Sequence, residues 1–287
     1  MDMRFVTFRR GAAAPEAGVV SGGEVIGLGA AGFANLLSVI GGGPEALARI
    51  ETYTAAAPVQ SRFPLGDVTL LAPIPRPPKV ICVGLNYADH ARESKLEIPK
   101  VPTIFAKFPT AVIGPGDKVV LPKASAKPDY EAEFAFVIGR GGRYIPAERW
   151  RDHIFGYVNF NDVSARDYQM ATTQWMMGKT FDTFAPIGPW IVSADEIADP
   201  HALDIKLTLN GEAMQCSNTR NLIFGIPKLV EFLSSVFTLE PGDVIATGTP
   251  AGVGFARKPP RYLKPGDEMV VEIQGLGELR NPVVGEE

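Results

Sequence analysis

The sequence has few of the residues that build disulfide frameworks and zinc sites. Its 287 residues include two cysteines and three histidines, and Cys82 and Cys216 stand far apart without a metal-binding spacing. We therefore expect two buried, reduced thiols, and we expect neither a disulfide nor a zinc site.

Long apolar runs are also absent from the sequence. No stretch approaches the roughly 18 uninterrupted apolar residues that a membrane-spanning helix requires. The arginine-containing start, residues 1–10, is not followed by an apolar core and a small-residue cleavage site, so it does not have the form of a secretory signal. These absences predict a soluble, cytoplasmic protein without a membrane partner.

An excess of charge of one sign is lacking as well. The formal net charge is −4, with no basic block and no arginine-rich segment, so a nucleic acid is not an expected partner. With 46% hydrophobic and 21% charged residues, the composition excludes a disordered or collagen-like chain. A chain of this length can form one large domain with a small appendage.

A proline-rich segment divides the sequence. Residues 72–78 (APIPRPP) cannot form a helix or an inner strand and are expected to run extended. Before them, short strand patterns separated by glycines precede two helical patterns, at residues 33–40 and 44–56. We therefore predict a small α/β domain over residues 1–72 and a larger domain that carries the chemistry over residues 73–287.

Two glutamates stand on one face of the strand pattern at residues 129–139. Side chains alternate along a strand, so Glu131 and Glu133 share a face while Phe134 and Phe136 fill the opposite one. Two carboxylates held together in a partly buried place repel each other unless a cation joins them. Taken alone, the pair is also compatible with a solvated strand face.

A third carboxylate favours a metal site at this place. Asp162 ends the apolar strand pattern at residues 158–163, so it can join the two glutamates. Neither cysteine nor histidine stands near the three acids, and an oxygen-only ligand set favours Mg²⁺, Mn²⁺ or Ca²⁺ over zinc.

His90 and Glu93 form a candidate acid–base pair. On a helix over residues 88–96 they would share a face, where the carboxylate could orient the imidazole and raise its basicity. From the residues alone, an exposed polar helix without a catalytic role is the alternative. His153 and His201 have no comparable partner, and we interpret them as structural.

Several basic and polar side chains could contact an acidic ligand. Arg166 and Gln169 lie three residues apart, after a serine that could cap a helical turn, and the arginine suits a carboxylate. Lys179 lies in an apolar loop, and Lys107 can point inward from a short strand as a further substrate-binding candidate. Thr249 belongs to a glycine-rich segment (TGTPAGVG) that lacks the lysine and spacing of a P-loop but could approach a small anion.

Five segments together resemble the fumarylacetoacetate hydrolase family. They are residues 84–90 (GLNYADH), 129–133 (DYEAE), 161–169 (NDVSARDYQ), 178–183 (GKTFDT) and 247–250 (TGTP). Their order and spacing match that family from about residue 73 to the end of the sequence, whereas the amino-terminal portion is similar more loosely. A branch of the family called fumarylacetoacetate hydrolase domain-containing protein 2 is similar in residues 257–260 (RKPP) and 263–268 (LKPGDE) as well.

The resemblance implies a β-rich α+β fold, a roll of mixed sheets, and usually a homodimer. It implies that Mg²⁺ or Mn²⁺ is bound by three carboxylates, those of Glu131, Glu133 and Asp162. It assigns a catalytic dyad on a mobile lid to His90 and Glu93. It also implies substrate-facing roles for four residues, Arg166, Gln169, Lys179 and Thr249.

The substrates that the resemblance implies are small 2-oxo acids with a second carbonyl or carboxylate nearby. Metal chelation of the carboxylate and the adjacent oxo group would make an enolate accessible. With a water activated by His90 and the developing oxyanion or far carboxylate bound by Lys179, the expected reaction is hydrolysis of a C–C bond. The expected substrate class is an acylpyruvate-like or fumarylpyruvate-like 2,4-dioxo acid.

Other reactions fit the same site. The first alternative is tautomerisation of a dicarboxylic 2-oxo acid such as oxaloacetate, because the same enolate can be reprotonated. Decarboxylation and double-bond isomerisation follow. A non-catalytic binding protein that has kept the fold is the alternative from another class, and the presence of every motif residue argues against it.

Overall fold

The computed structural model describes residues 3–287 of the chain. Residues 1 and 2, at which the predicted amino-terminal domain and the segment considered as a signal both begin, lie outside the described residues.

Strands form most of the regular structure. Up to residue 107 they are Arg4–Arg9 (β1), Glu16–Ser21 (β2), Glu24–Gly27 (β3), Arg62–Pro64 (β4), Thr69–Leu71 (β5), Val80–Gly84 (β6) and Thr103–Lys107 (β7). The middle third contains Val112–Ile113 (β8), Val119–Leu121 (β9), Pro128–Asp129 (β10), Ala132–Ile138 (β11), Ile154–Asn161 (β12), Ser164–Ala165 (β13) and Ala185–Ser193 (β14). The last third contains Asp204–Leu209 (β15), Glu212–Asn218 (β16), Val244–Ala246 (β17), Glu268–Ile273 (β18) and Gly277–Gly285 (β19).

The α-helices are few and mostly short. Within residues 3–287 they are Leu36–Gly41 (α1), Gly43–Ala55 (α2), Ala88–Ser94 (α3), Arg166–Gln169 (α4), Met176–Lys179 (α5) and Ile226–Val236 (α6). None of them has the length and apolar character that crossing a bilayer requires.

Two mixed sheets organise the molecule. The larger one has the strand order β4-β3-β2-β1-β14-β12-β11-β17-β6-β7, with β5 attached to β1 and β8 attached to β14. The smaller one has the order β16-β15-β18-β19-β9, and β10 pairs with β13 on its own. Antiparallel pairs dominate, and β17 pairs in parallel with β6, next to the edge strand β7 of the large sheet. The expected β-rich α+β fold is confirmed.

Strand β11 divides the core as its alternating sequence predicts. Phe134 and Phe136 belong to an apolar cluster that also contains residues of the smaller sheet, such as Leu207 of β15. Ala135 and Val137 belong to a second cluster that includes side chains of α1 and α2. The large sheet is therefore covered on one face by the small sheet and on the other by the first two α-helices.

The amino-terminal strands join the same sheet as the site-bearing strands. Strand β1 pairs with β14, where Arg4 lies opposite Val192 and Phe5 opposite Ile191. Strands of residues 1–72 and of residues 73–287 therefore share one hydrogen-bonded sheet. The division at residue 72 stays a prediction.

Local structure agrees with the sequence at one turn, and the predicted serine cap is wrong. Asn210 and Gly211, with φ values of 54° and 82°, form a two-residue hairpin turn between β15 and β16, which an Asn-Gly pair favours. Ala147–His153 form a 3-10 helix. Ser164 lies in β13 and donates its hydroxyl to the carbonyl of Asp162, so it does not cap a helix.

The two cysteines differ in exposure. Both are free thiols, as expected, and Cys82 is buried in β6. The expectation that both are buried is wrong for Cys216, which is exposed on β16. The alternation of side chains along β16 turns Gln215 inward and its neighbour Cys216 outward.

Candidate active site

Three carboxylates converge where β11 begins and β12 ends. Glu131 directly precedes β11, Glu133 is its second residue, and Asp162 directly follows β12. The two strands are antiparallel neighbours, and the N–H of Asp162 donates to the carbonyl of Glu131 at 2.9 Å. One carboxylate oxygen from each of the three buried side chains lies within 4.8 Å of the others. The structure thus brings together the three acids that the sequence indicated.

Two buried lysines contact these acids. The Nζ atom of Lys179, at the end of α5, lies 2.7 Å from Glu131 Oε2 and 2.8 Å from Asp162 Oδ2. Lys107, at the end of β7, donates to the other oxygen of Asp162 and, at 3.0 Å, to the carbonyl of Val163. Lys107 therefore holds a protein carboxylate, and its predicted contact with substrate stays a prediction.

Arg166, the first residue of α4, is held on two of its nitrogen atoms and free on the third. Its Nε donates to Asp129 at 2.9 Å, and its Nη1 lies 2.9 Å from Gln169 Oε1 and 2.5 Å from Glu131 Oε1. Its Nη2 is buried and has no hydrogen-bond partner within residues 3–287. A buried donor without a partner costs free energy unless a ligand supplies an acceptor.

The charges around the acids shift their pKa values in opposite directions. Burial alone would raise the pKa of Glu131, but Lys179 and Arg166 outweigh it and lower the value to about 2. Burial also raises the pKa of Glu133, and the neighbouring Asp162 and Glu131 raise it further, to well above its usual range. Glu131 and Asp162 form salt bridges with these cations, whereas Glu133 forms none within residues 3–287.

The donor set fits a divalent cation. Four buried carboxylates (Asp129, Glu131, Glu133 and Asp162) face three buried cationic side chains (Lys107, Arg166 and Lys179). The excess negative charge lies at Glu133, whose side chain accepts a hydrogen bond from the N–H of Gly248 at 2.9 Å. An oxygen-binding ion such as Mg²⁺ or Mn²⁺ would supply the missing positive charge at that point.

The glycine-rich segment, residues 247–254, contacts carboxylates of the protein itself. The N–H groups of Gly248, Gly252 and Gly254 donate to Glu133, Glu93 and Asp129, respectively. The sequence indicated that this backbone could approach an anion, and its anions are these three acids. This one segment therefore contacts a candidate metal ligand (Glu133), a member of the candidate acid–base pair (Glu93) and the acid that holds Arg166 (Asp129).

The predicted acid–base pair is formed on helix α3. His90 Nδ1 lies 3.2 Å from Glu93 Oε2, and the imidazole packs edge-on against the ring of Phe255 with their centroids 6.4 Å apart. The other two histidines have structural contacts, as interpreted from the sequence. His153 Nδ1 lies 2.7 Å from the carbonyl of Arg140, and His201 Nε2 accepts from the N–H of Ile226 at 3.0 Å.

A cavity of about 100 Å³ opens onto this group of side chains. Seven of the predicted site residues line it, namely His90, Glu131, Glu133, Arg166, Gln169, Lys179 and Thr249. Glu93, Lys107 and Asp162 do not line it. Glu93 contacts His90 and Asp162 contacts Lys179, both of which line the cavity, and Lys107 contacts Asp162. The cavity is small, and the polar side chains that line it include several hydrogen-bond donors.

Other wall and support residues were not identified from the sequence. Asp129 is buried beneath Arg166, Trp175 and Phe255 line the cavity, and Gln215 is buried next to Thr249. Asp129 begins the glutamate-bearing strand pattern, so its place there was the available signal. A lone glutamine in a hairpin and a tryptophan in a loop carry no comparable signal.

A family model matches most of the chain. The model described as "Fumarylacetoacetate (FAA) hydrolase C-terminal" matches residues 79–284. The chain is also 51% identical over 224 residues to "Oxaloacetate tautomerase FAHD2A, mitochondrial" of Bos taurus, which covers 77% of this chain and 71% of that protein.

Solved structures have the same fold. The structure of a fumarylacetoacetate hydrolase from psychrophilic Exiguobacterium antarcticum aligns with a TM-score of 0.87 and 37% identity over 99% of this chain and 100% of that one. A maleylpyruvate hydrolase from Sphingobium sp. SYK-6, in complex with manganese (II) ion and pyruvate, aligns with a TM-score of 0.84 and 34% identity over the same shares.

Proposed function

The chain belongs to the fumarylacetoacetate hydrolase family, and from that premise we propose that it is a metal-assisted tautomerase of a small dicarboxylic 2-oxo acid, with oxaloacetate as the first candidate. The similarity to a protein named oxaloacetate tautomerase, at 51% identity, supports this alternative better than the hydrolysis expected first from the sequence. The observation that carries the proposal lies at the cavity wall, where the buried Arg166 Nη2 has no hydrogen-bond partner within residues 3–287.

A dianionic substrate would supply an acceptor for Arg166 and an anionic group for Lys179. Arg166 Nη2 has no hydrogen-bond partner within residues 3–287, although it is buried at the cavity wall. Lys179 lines the same cavity with an ammonium group that burial disfavours and that Asp162 and Glu131 keep protonated by raising its pKa. Two carboxylate groups in a cavity of about 100 Å³ would meet both cations at short range.

His90 is the candidate for moving the proton. Its Nδ1 lies 3.2 Å from a carboxylate oxygen of Glu93, which can only accept when ionised, so Nδ1 carries a proton in this pair. In the neutral imidazole, Nε2 is then the acceptor. Nε2 can take a proton from the carbon next to the 2-oxo group and deliver it to the oxo oxygen, which gives the enol. The reverse transfer restores the keto form, so the two forms interconvert without a change in composition.

The cation candidates are Mg²⁺ and Mn²⁺, and the residues that would hold one are Glu131, Glu133 and Asp162. When bound, such an ion supplies Lewis-acid stabilisation of the negative charge that develops on substrate oxygens. Lys179 and Arg166 contribute to the same stabilisation from fixed positions, because both are already anchored to site carboxylates.

The experiment that tests this function follows oxaloacetate by ultraviolet absorbance. Enolic oxaloacetate added to the protein with Mg²⁺ should relax to the keto form much faster than the uncatalysed control, and His90→Ala should abolish the acceleration while retaining Mg²⁺ binding in calorimetry. A relaxation rate equal to that of the buffer control would reject the tautomerase proposal. Loss of Mg²⁺ binding in the His90→Ala variant would contradict the role given to His90.

Hydrolysis of an acylpyruvate is the second candidate. The contact between His90 and Glu93 favours it, because the same pair could activate a water for attack on the distal carbonyl. The similarity to a maleylpyruvate hydrolase of 34% identity supports it as well. Incubation with an acylpyruvate and Mg²⁺ should release pyruvate if hydrolysis is the reaction, whereas a tautomerase should release none.

The expected homodimer and cytoplasmic location are part of the proposal and stay predictions. The name of the Bos taurus protein contains the word mitochondrial, which differs from the cytoplasmic location expected here. Light scattering of the purified chain would determine its mass in solution, and imaging of a tagged full-length chain would determine its compartment.

A further inference from the structure

Gln215 links two parts of the candidate site without lining the cavity. It is 1% exposed on β16. Its Oε1 accepts from the N–H of Ala132 at 2.8 Å, between the two glutamates of the acid group. Its Nε2 donates to Thr249 Oγ1 at 2.8 Å and to the carbonyl of Pro250 at 2.9 Å.

These contacts fix the orientation of the Gln215 amide. A backbone N–H can only donate and a backbone carbonyl can only accept, so the amide oxygen must face Ala132 and the amide nitrogen must face Pro250. The second hydrogen of that nitrogen then points at Thr249. The hydroxyl oxygen of Thr249 is therefore an acceptor in this contact, and its own proton is left for another partner.

The residue that carries this proton lies at the cavity wall. Thr249 is 5% exposed and lines the cavity. Within residues 3–287 its hydroxyl proton has no acceptor, and the hydroxyl oxygen accepts a hydrogen bond from Gln215. Together with Arg166 Nη2, the cavity thus has a second buried donor without a protein partner, and both suit an anionic oxygen.

We propose that Gln215 is a positioning residue that commits the Thr249 hydroxyl to donate to an anionic oxygen of the bound dicarboxylate. Thr249 contacts the ligand, and Gln215 acts through it. The ligand class in this inference rests on the proposed function. The role of Gln215 rests on the three hydrogen bonds of its amide.

An isosteric change reverses the polarity of the contact. In Gln215→Glu the side chain still accepts from Ala132, but when ionised it offers Thr249 an acceptor in place of a donor. The threonine proton is then drawn to residue 215 and away from the cavity. We expect the Kd for malate, an inert four-carbon dicarboxylate, to rise about tenfold or more in the Mg²⁺-loaded protein.

The test compares that variant with Thr249→Val and with the double variant. Because both changes remove the same donated hydrogen bond, the double variant should bind malate no more weakly than Thr249→Val alone. The KM for oxaloacetate should rise in parallel while kcat changes less, and calorimetric Mg²⁺ affinity should stay at the wild-type value. Gln274→Glu, the same chemical change at an exposed residue that accepts from the N–H of Asp204 at 3.3 Å, is the matched control and should bind malate normally.

Different results would overturn the positioning role of Gln215 and the ligand class. Unchanged malate binding in Gln215→Glu, losses that multiply in the double variant, or an equal loss of Mg²⁺ affinity would each reject the positioning role. Failure of the wild-type protein itself to bind malate in the presence of Mg²⁺ would instead reject the ligand class on which the proposed function depends.

Discussion

The N–H of Gly252 donates to both carboxylate oxygens of Glu93, at 3.0 and 3.1 Å. Gly252 has a φ of +103°, and a Cβ atom there would lie 2.1 Å from the carbonyl oxygen of Met214, so a side chain cannot be accommodated without moving the backbone. The glycine-rich segment therefore holds Glu93 from one side while His90 contacts it from the other. The acid–base pair depends on a fixed backbone donor as well as on helix α3.

The first prediction concerns the tautomer of His90. Glu93→Gln keeps the size of the side chain and can keep its oxygen on Gly252, which turns the amide nitrogen toward His90 Nδ1. Nδ1 then has to accept, so the proton of the neutral imidazole moves to Nε2 and the ring cannot take a proton from substrate. We expect kcat for the keto–enol reaction to fall by roughly 10²-fold or more.

Kinetics with oxaloacetate and Mg²⁺ would measure this effect. Glu97→Gln, the same change at an exposed residue just beyond α3, should retain wild-type activity. Wild-type turnover by Glu93→Gln would show that the pair does not set the protonation of His90 during the reaction.

The second prediction separates metal binding from folding. Burial beside two other acids raises the pKa of Glu133. The ionised form of Glu133 therefore destabilises the metal-free protein. Glu133→Gln removes that charge and can still accept from the N–H of Gly248. The metal-free melting temperature should therefore stay equal or rise, whereas Mg²⁺ and Mn²⁺ should no longer raise it.

Calorimetric titration and melting curves with and without metal would test both parts. Glu278→Gln, a change at an exposed carboxylate on β19, should leave the metal-induced shift intact. A metal-induced shift that survives in Glu133→Gln would mean that Glu133 is not a ligand.

The part of the site that lies on strands was predictable from the sequence. Glu131 and Glu133 share a face because strand side chains alternate, and Asp162 joins them because it ends the neighbouring strand. Contacts between distant segments were not predictable in this way. The place of Lys179 between Glu131 and Asp162, and that of Gln215 beside Thr249, follow from tertiary packing that no local pattern encodes.

The central strand β14 shows a second limit of sequence patterns. Its nine residues include Pro186, Gly188 and Pro189, which argue against an inner strand because proline cannot donate to a neighbouring strand. The sheet accommodates them through an irregular register, which shifts between Tyr157 and Asn159 of β12. The tertiary fit of the neighbouring strands outweighs the local propensity here.

The third prediction measures how strongly Lys179 stabilises the acid group. Its Nζ atom lies 2.7 Å from Glu131 and 2.8 Å from Asp162, and all three side chains are buried. Lys179→Met leaves both carboxylates without that cation, and removal of one partner of a buried ion pair costs about 3–5 kcal/mol. The free energy of unfolding of the metal-free protein, from urea titration, should fall by an amount of that order.

A matched ion pair on the surface provides the control. Lys228 lies 2.7 Å from Glu231 with side chains that are 55% and 44% exposed. Because solvent screens such a pair, Lys228→Met should cost no more than about 1 kcal/mol. Equal losses in the two variants would contradict the view that burial makes Lys179 important.

The fourth prediction concerns the pH dependence of stability through His201. Burial lowers the pKa of His201 below its usual value, Asp199 opposes that shift, and Arg151 adds to it. The neutral ring also accepts from the N–H of Ile226 at the start of α6, a contact that protonation of Nε2 removes. The folded state therefore binds a proton less readily than the unfolded chain, whose histidine titrates near pH 6.5.

It follows that the stabilising contribution of His201 is fully present above about pH 6.5 and is lost as the pH falls below that value, because the unfolded chain then gains a proton that the folded chain resists. His201→Gln cannot titrate, so its melting temperature should lie below that of the wild type at pH 7.5, and the gap should narrow by pH 5.5. Lys206→Gln, at an exposed position of β15, should show a gap that does not change over this range. A gap between wild type and His201→Gln that is constant or widens toward pH 5.5 would mean that the folded state binds the His201 proton as readily as the unfolded chain does.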